Sequence, residues 1–151
     1  MASDRLSDSE LRAWQALLHT YHQVIRTLDR ELREGHGLPL AAYDVLLRLA
    51  RAPGRSLRMS DLAERVMLSP SGVTRLVDRL EAKGLVERRA DSQDARVALA
   101  SLTDEGLRQL RKAAITHLRG IREHFTGRLS QGQLRNVASG LETVTGPHVP
   151  H

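Results

Sequence analysis

SPSGVTRLVDRLEAKG, residues 69–84, is the stretch that decides the fold. Ser69 suits an N-cap, because its hydroxyl can accept from the backbone N–H groups that a helix start leaves unpaired. Pro70 follows at the first helical position, where its fixed φ helps and its missing N–H costs nothing. The helix then runs to Lys83, with Gly84 as its stop. Val73, Leu76, Val77 and Leu80 fall on one stripe, and Ser71, Thr74, Arg75 and Asp78 lie roughly opposite, with Arg79 on the flank. Just upstream, Ser60 reads as the cap of a shorter helix from Asp61 to Met67, with Leu62, Ala63 and Val66 facing inward. A short helix, a tight turn and a second helix with a Ser/Thr/Arg face make a helix-turn-helix pattern.

Working outward, Leu85–Arg89 and Arg96–Leu102 read as two strands, with Val97 and Leu99 on one side of the second. Between them Ala90-Asp-Ser-Gln-Asp-Ala95 is polar and turn-forming, so the pair predicts a β-hairpin. Upstream, Pro39 can start a helix carrying Tyr43, Leu46, Leu47 and Leu49 to about Ala50, ahead of a Pro53-Gly54 turn. Before that lies a long amphipathic helix. Leu11, Trp14, Leu18, Tyr21, Ile25, Leu28 and Leu32 recur at alternating threes and fours, Ser7 and Glu10 form a capping box, and Gly35 and Gly37 end it. On the far side, Thr103 caps another long helix bearing Leu107, Leu110, Ala114, Leu118, Ile121 and Phe125. Ser130 with Gln133 opens a last helix with Leu134, Val137, Leu141 and Val144. The expected class is mostly α with a small β-hairpin: a winged lobe over about 39–103, helical arms over about 7–34 and 104–145, and a frayed tail at 146–151.

Composition narrows the function classes. The 151 residues suit one domain, and 40% hydrophobic with 27% charged residues is ordinary for a globular chain. No apolar run approaches the roughly 18 residues of a membrane span, and the first ten residues are polar, so neither a membrane anchor nor a secretory leader is expected and the expected address is the cytoplasm. Cysteine is absent, which removes disulfides, thiolate zinc sites and thiol nucleophiles together. The net charge of +5 is carried almost wholly by Arg, since Lys83 and Lys112 are the only lysines. Such a surplus favours polyanions, though it is spread along the chain and locates no site.

The order of elements then becomes specific. Met59-Ser-Asp-Leu-Ala-Glu64, Leu68-Ser-Pro-Ser-Gly-Val-Thr-Arg-Leu-Val-Asp-Arg-Leu-Glu81, Lys83-Gly-Leu-Val-Glu-Arg-Arg89, Asp94-Ala-Arg96 and Leu102-Thr-Asp-Glu-Gly106 closely resemble the MarR family of winged helix-turn-helix regulators, over about residues 10–145. One departure is Ser92-Gln93 before Asp94, where the family's wing more often carries acid or Gly. The resemblance implies a homodimer, usually a repressor, with both chain ends in the dimer interface and an effector crevice between that interface and the DNA-binding lobes. The apolar stripes at 11–32, 107–125 and 134–144 independently exceed what a 60-residue winged lobe could cover, as a dimer requires.

The candidate DNA contacts are Ser69, Ser71, Thr74, Arg75 and Arg79 on the reading helix and Arg88, Arg89 and Arg96 at the wing. Arg can grip guanine bidentately, Ser or Thr can take phosphate or base edges, and a wing Arg can enter a narrow minor groove. Asp94 has the wrong charge for DNA and is expected to pair an Arg and hold the wing's shape. The expected partner is double-stranded DNA with a pseudo-palindromic operator. A small-molecule crevice could draw on Trp14, Tyr21, His22, Arg26 and Tyr43. Two further readings stay open: a helical protein-interaction module without DNA binding, and a metal-responsive regulator using His19, His22, His36, His117 and His124. Against the second, zinc needs three or four matched ligands, and His117 and His124 are seven residues apart with no HxxxH or HExxH present. No Gly-rich phosphate loop, nucleophile elbow or carboxylate pair points to catalysis, and no cofactor is implied.

Overall fold

Ser7 opens helix α1 (Asp8–His36) through a complete capping box: its hydroxyl accepts from the Glu10 N–H, and the Glu10 carboxylate accepts from the Ser7 N–H at 2.7 Å. A computed structural model of the chain describes residues 5–66 and 68–146. Helix α1 ends at Gly37, which is left-handed (φ 64°) and donates back to the Arg33 carbonyl. Lys83 reaches that end from 46 positions away and donates to the Gly37 carbonyl at 2.7 Å, a cation where the helix dipole is negative.

Helix α2 (Leu40–Arg51) starts one residue later than expected, with Pro39 as its N-cap. Proline has no side-chain acceptor, and α1 supplies one instead: Asp29 Oδ1 accepts from the Leu40 N–H at 2.8 Å. A 3₁₀ turn at Pro53–Arg55 leads into β1 (Ser56–Arg58), a strand the hydrophobic pattern did not reveal. Helix α3 (Met59–Val66) follows without a gap, so Ser60 lies inside its first turn and is not its cap; Met67 lies outside the described residues. Helix α4 (Pro70–Ala82) is capped by Ser69 as expected.

The hairpin strands are β2 (Val86–Ala90) and β3 (Ala98–Leu102). They belong to a three-stranded antiparallel sheet in the order β1-β3-β2, with Arg88 opposite Ala100 and Leu57 opposite Ala100 on the other edge. The third strand corrects the two-stranded expectation. Strand β3 also starts two residues later than expected, because Asp94 captures the N–H groups of Arg96 and Val97 and bends the chain there. Helix α5 (Asp104–His124), capped by Thr103, packs along the C-terminal half of α1, and α6 (Gln131–Thr145) opens on the Ser130–Gln133 capping box. The expected frayed tail lies, from residue 147 on, outside the described residues.

The core gathers the inner faces of these elements. Leu32 from α1, Leu46 and Leu49 from α2, Leu62 from α3, Leu80 from α4 and Val86 from β2 are fully buried in one cluster. Only the C-terminal half of α1 joins it. Trp14, Leu18 and Tyr21, on the same stripe, stay exposed.

Candidate nucleic-acid interface

Helix α4 is held from behind and open in front. Val73, Leu76, Val77 and Leu80 are buried against the lobe, which presents Ser71, Thr74, Arg75, Asp78 and Arg79 to solvent. The Ser69 hydroxyl accepts from the Gly72 N–H at 3.1 Å and meets the Ser71 hydroxyl at 3.2 Å. Thr74 donates its hydroxyl to the Pro70 carbonyl at 2.9 Å, and the Arg75 Nε donates to the Ser71 carbonyl at 3.4 Å. Arg79 forms no ion pair among the described residues. The face thus offers hydroxyls at the helix start and two guanidinium groups one turn apart, the donor set that phosphates and guanine edges accept from.

The wing is built by its acids. Asp94 Oδ1 accepts from the Arg96 N–H at 3.0 Å and from its Nε at 3.2 Å, while the Arg96 side chain is 92% exposed. Asp91, which sequence reasoning passed over, does more. Its Oδ1 accepts from the Gln93 N–H at 2.7 Å, its N–H donates to the Val97 carbonyl at 2.9 Å, and its carboxylate pairs with Arg58 of β1 at 3.4 Å. The wing's base is therefore tied to the strand that the pattern missed. Arg89 pairs with Glu87 on its own strand.

Arg88 points elsewhere. Its guanidinium lies back on α4, 2.6 Å from Asp78 and 3.5 Å from Glu81, instead of at the wing tip. Spacing alone places Asp78 on the polar face and gives Glu81 no role; the signal in the sequence is two acids three apart on α4 with an Arg seven positions beyond the second. Beside α4, an open cleft of about 670 Å³ is lined by Arg33, Arg75, Arg79 and Lys83 over a floor that includes Leu38, Leu76 and Leu80.

The five residues considered for a small-molecule crevice do not converge within one chain. Tyr43 is buried in the core, its ring 4.6 Å from that of His117. Trp14 and Tyr21 are on the exposed half of α1, and His22 and Arg26 meet each other at 3.4 Å on the same helix. The histidines of the α1–α5 seam are engaged separately. His36 Nε2 meets the Thr116 hydroxyl at 2.7 Å, and His124 Nε2 meets Glu31 at 2.6 Å. Among the described residues no group of three or more His, Asp or Glu side chains is arranged to hold a metal ion.

A reading helix seated on a helix-turn-helix core, with a three-stranded wing beside it and long helices on both flanks, defines a winged helix-turn-helix regulator. Comparison with known proteins makes this specific. The MarR family model matches residues 36–97. The transcriptional repressor MdtR of Bacillus subtilis is 40% identical over 92 residues, which are 61% of this chain and 58% of MdtR's length. AbsC, a MarR family transcriptional regulator from Streptomyces coelicolor, superposes with a TM-score of 0.87 at 31% identity, over 95% of this chain and 96% of AbsC. Sco3205, a MarR family regulator from the same organism whose structure was solved in complex with DNA, gives a TM-score of 0.87 at 32% identity, over 96% of this chain and 91% of that one. The chain belongs to the MarR family.

Proposed function

We propose that the chain is a sequence-specific DNA-binding transcriptional regulator, acting in the cytoplasm as a homodimer and, like MdtR, as a repressor. The observation that carries this reading is α4 itself: four buried apolar residues seat an exposed face of Ser71, Thr74, Arg75 and Arg79 that nothing among the described residues covers. In this reading α4 enters the major groove and contacts base edges through Arg75 and Arg79. Ser69, Ser71 and Thr74 contact phosphate, and Arg89 and Arg96 follow the adjacent backbone and minor groove.

Dimerisation is supported by surface that one chain cannot bury. Helix α6 contains no buried residue, and Val144 is 81% exposed; on α5 Leu118 is 62% exposed, and on α1 Trp14 is 54% exposed. Apolar faces on three helices from both chain ends suit a self-complementary contact about a two-fold axis. No catalytic step is assigned: the relatives are transcriptional regulators, and the Ser69 hydroxyl serves as a helix cap.

Relief of repression belongs to the same reading. A small molecule that binds better when the two lobes are wrongly spaced for successive major grooves lowers operator affinity by that difference in its affinities. Trp14, Tyr21, His22 and Arg26 then contribute to a crevice that a partner chain completes. The test is a gel shift of purified protein against fragmented genomic DNA at physiological salt. A small subset of fragments should be retarded and resist competition by bulk DNA. Folded protein that retards no fragment, or all equally, contradicts the reading.

A further inference from the structure

Arg88 is the third residue of β2, and its side chain turns away from the wing tip onto α4. Nη2 lies 2.6 Å from Asp78 Oδ1 and donates to the Thr74 carbonyl at 3.3 Å. Nη1 lies 3.5 Å from Glu81 Oε2, and that same oxygen accepts from the Arg88 backbone N–H at 3.0 Å. One residue of the wing thus holds α4 over two helical turns, from Thr74 to Glu81, through its guanidinium and its backbone. The Arg88 side chain is 29% exposed, against 92% for Arg96 at the tip.

The acids sharpen the point. A carboxylate among Arg75 and Arg79 works against a polyanionic ligand, so Asp78 is a burden on the reading face unless it does something else. What it does in the structure is bind Arg88. The Arg fork satisfies Asp78 and the Thr74 carbonyl with one nitrogen and faces Glu81 with the other, a geometry that a lysine's single ammonium cannot reproduce.

We propose that Arg88, Asp78 and Glu81 form a positioning clamp that sets the angle between the reading helix and the wing, so that Arg88 governs operator specificity without contacting DNA. The inference rests on α4 and the wing being a DNA interface, as proposed above. Loss of the clamp lets the wing tilt relative to α4, and the two can no longer satisfy groove and backbone at the same register. Discrimination falls while non-specific attraction, carried by the other arginines, persists.

The competing role is a phosphate contact by Arg88, and the two roles differ in what Asp78 does to selectivity. Removing an acid from a DNA-binding face lowers repulsion of all DNA under either role, and it leaves the preference for the cognate site unchanged if Arg88 is merely released to phosphate. It lowers preference for the cognate site if the acid is half of a clamp. The experiment measures affinity of the full chain for a selected site and for scrambled duplex across a salt series, with thermal unfolding of each variant as the folding control. Asp78→Asn and Arg88→Ala should each cut the cognate-to-scrambled ratio by about tenfold, the scale of one lost base-pair match. The double variant should be no worse than the worse single, because both remove the same interaction. The salt slope of Arg88→Ala should match wild type. Arg88→Lys preserves a phosphate contact but not the fork; it should retain the fold and still lose discrimination, and it decides the matter if Arg88→Ala unfolds. The proposal is overturned if Asp78→Asn leaves the cognate-to-scrambled ratio at its wild-type value, if Arg88→Lys is as selective as wild type, or if Arg88→Ala flattens the slope by about 0.9 as a lost phosphate contact does. Failure of wild-type protein to select any DNA instead overturns the interface reading, and the clamp with it.

Discussion

At Gly106 the lack of a side chain decides how α5 can begin. A Cβ there would collide with the Leu85 carbonyl oxygen and would stand 2.6 Å from Leu102 Cδ1. The approach is fixed by Thr103, whose hydroxyl accepts from the Gly106 N–H at 2.9 Å and donates to the Gly84 carbonyl at 2.7 Å. Gly106→Ala should therefore destabilise the chain by about 1–3 kcal/mol, as overpacking does, and lower Tm by about 2–4 °C per kcal/mol. Calorimetry finding Gly106→Ala as stable as wild type would show that α5 can move off at no cost. His117 offers a titration at the same scale. Its Nδ1 is buried against Tyr43 with no hydrogen-bond partner among the described residues, and burial holds the imidazole below its ordinary 6.5, while Asp44 of α2 and Glu31 of α1, itself paired with His124, push the other way and do not prevail. A histidine whose folded pKa lies below its unfolded one stabilises the fold fully above the unfolded value, and that contribution is lost as pH falls through the folded value. Wild type should lose more thermal stability than His117→Gln between about pH 7 and pH 5. Equal acid sensitivity in the two proteins would assign the loss to other groups. Neither behaviour was legible in the sequence, where Gly106 was only part of a motif and His117 only one of several histidines; what separates them is a contact across elements.

Elements were legible in proportion to their length. Helix α4 has a cap, a proline at its first position and four apolar residues on one stripe, all local, and each is where the sequence placed it. Strand β1 has three residues, too few to display an alternation, and it exists because Ser56, Leu57 and Arg58 pair with Ser101, Ala100 and Leu99 some 40 positions away. The hairpin of the wing is where the spacing places it, and only its inner boundary differs for a related reason: the turn is made by Asp91 and Asp94 accepting from nearby backbone, which moves the start of β3 from Arg96 to Ala98. For the candidate site, the side chains that only have to point outward from α4 could be read from spacing, and Arg88 could not, because its partners are on another element. The division of labour between α4 and the wing yields a contrast between Arg75 and Arg96. Arg75→Ala should cost roughly 1–3 kcal/mol of discrimination, being placed to meet a base edge. Arg96→Ala should weaken cognate and scrambled DNA alike and flatten the salt dependence by about one log–log unit. Salt titrations of both variants on both DNAs check this; an even loss for Arg75 with a cognate-only loss for Arg96 would mean the roles are exchanged.

Across the whole molecule, one stripe is divided between two jobs. The C-terminal half of α1 buries Leu28 and Leu32 in the chain's own core, and the N-terminal half leaves Trp14, Leu18 and Tyr21 exposed, as are Leu118 of α5 and Val144 of α6. In a dimer built on those faces the two reading helices are related by a two-fold axis, and the operator must carry the same symmetry. The measurement that meets this claim most directly is selection of bound sequences from a random duplex pool by the purified full chain. Paired reading helices about a two-fold axis require a pseudo-palindrome whose half-site centres lie about 10–11 bp apart, one turn of the duplex. Recovery of a single asymmetric site bound by one chain, or of no enriched sequence at all, would contradict it.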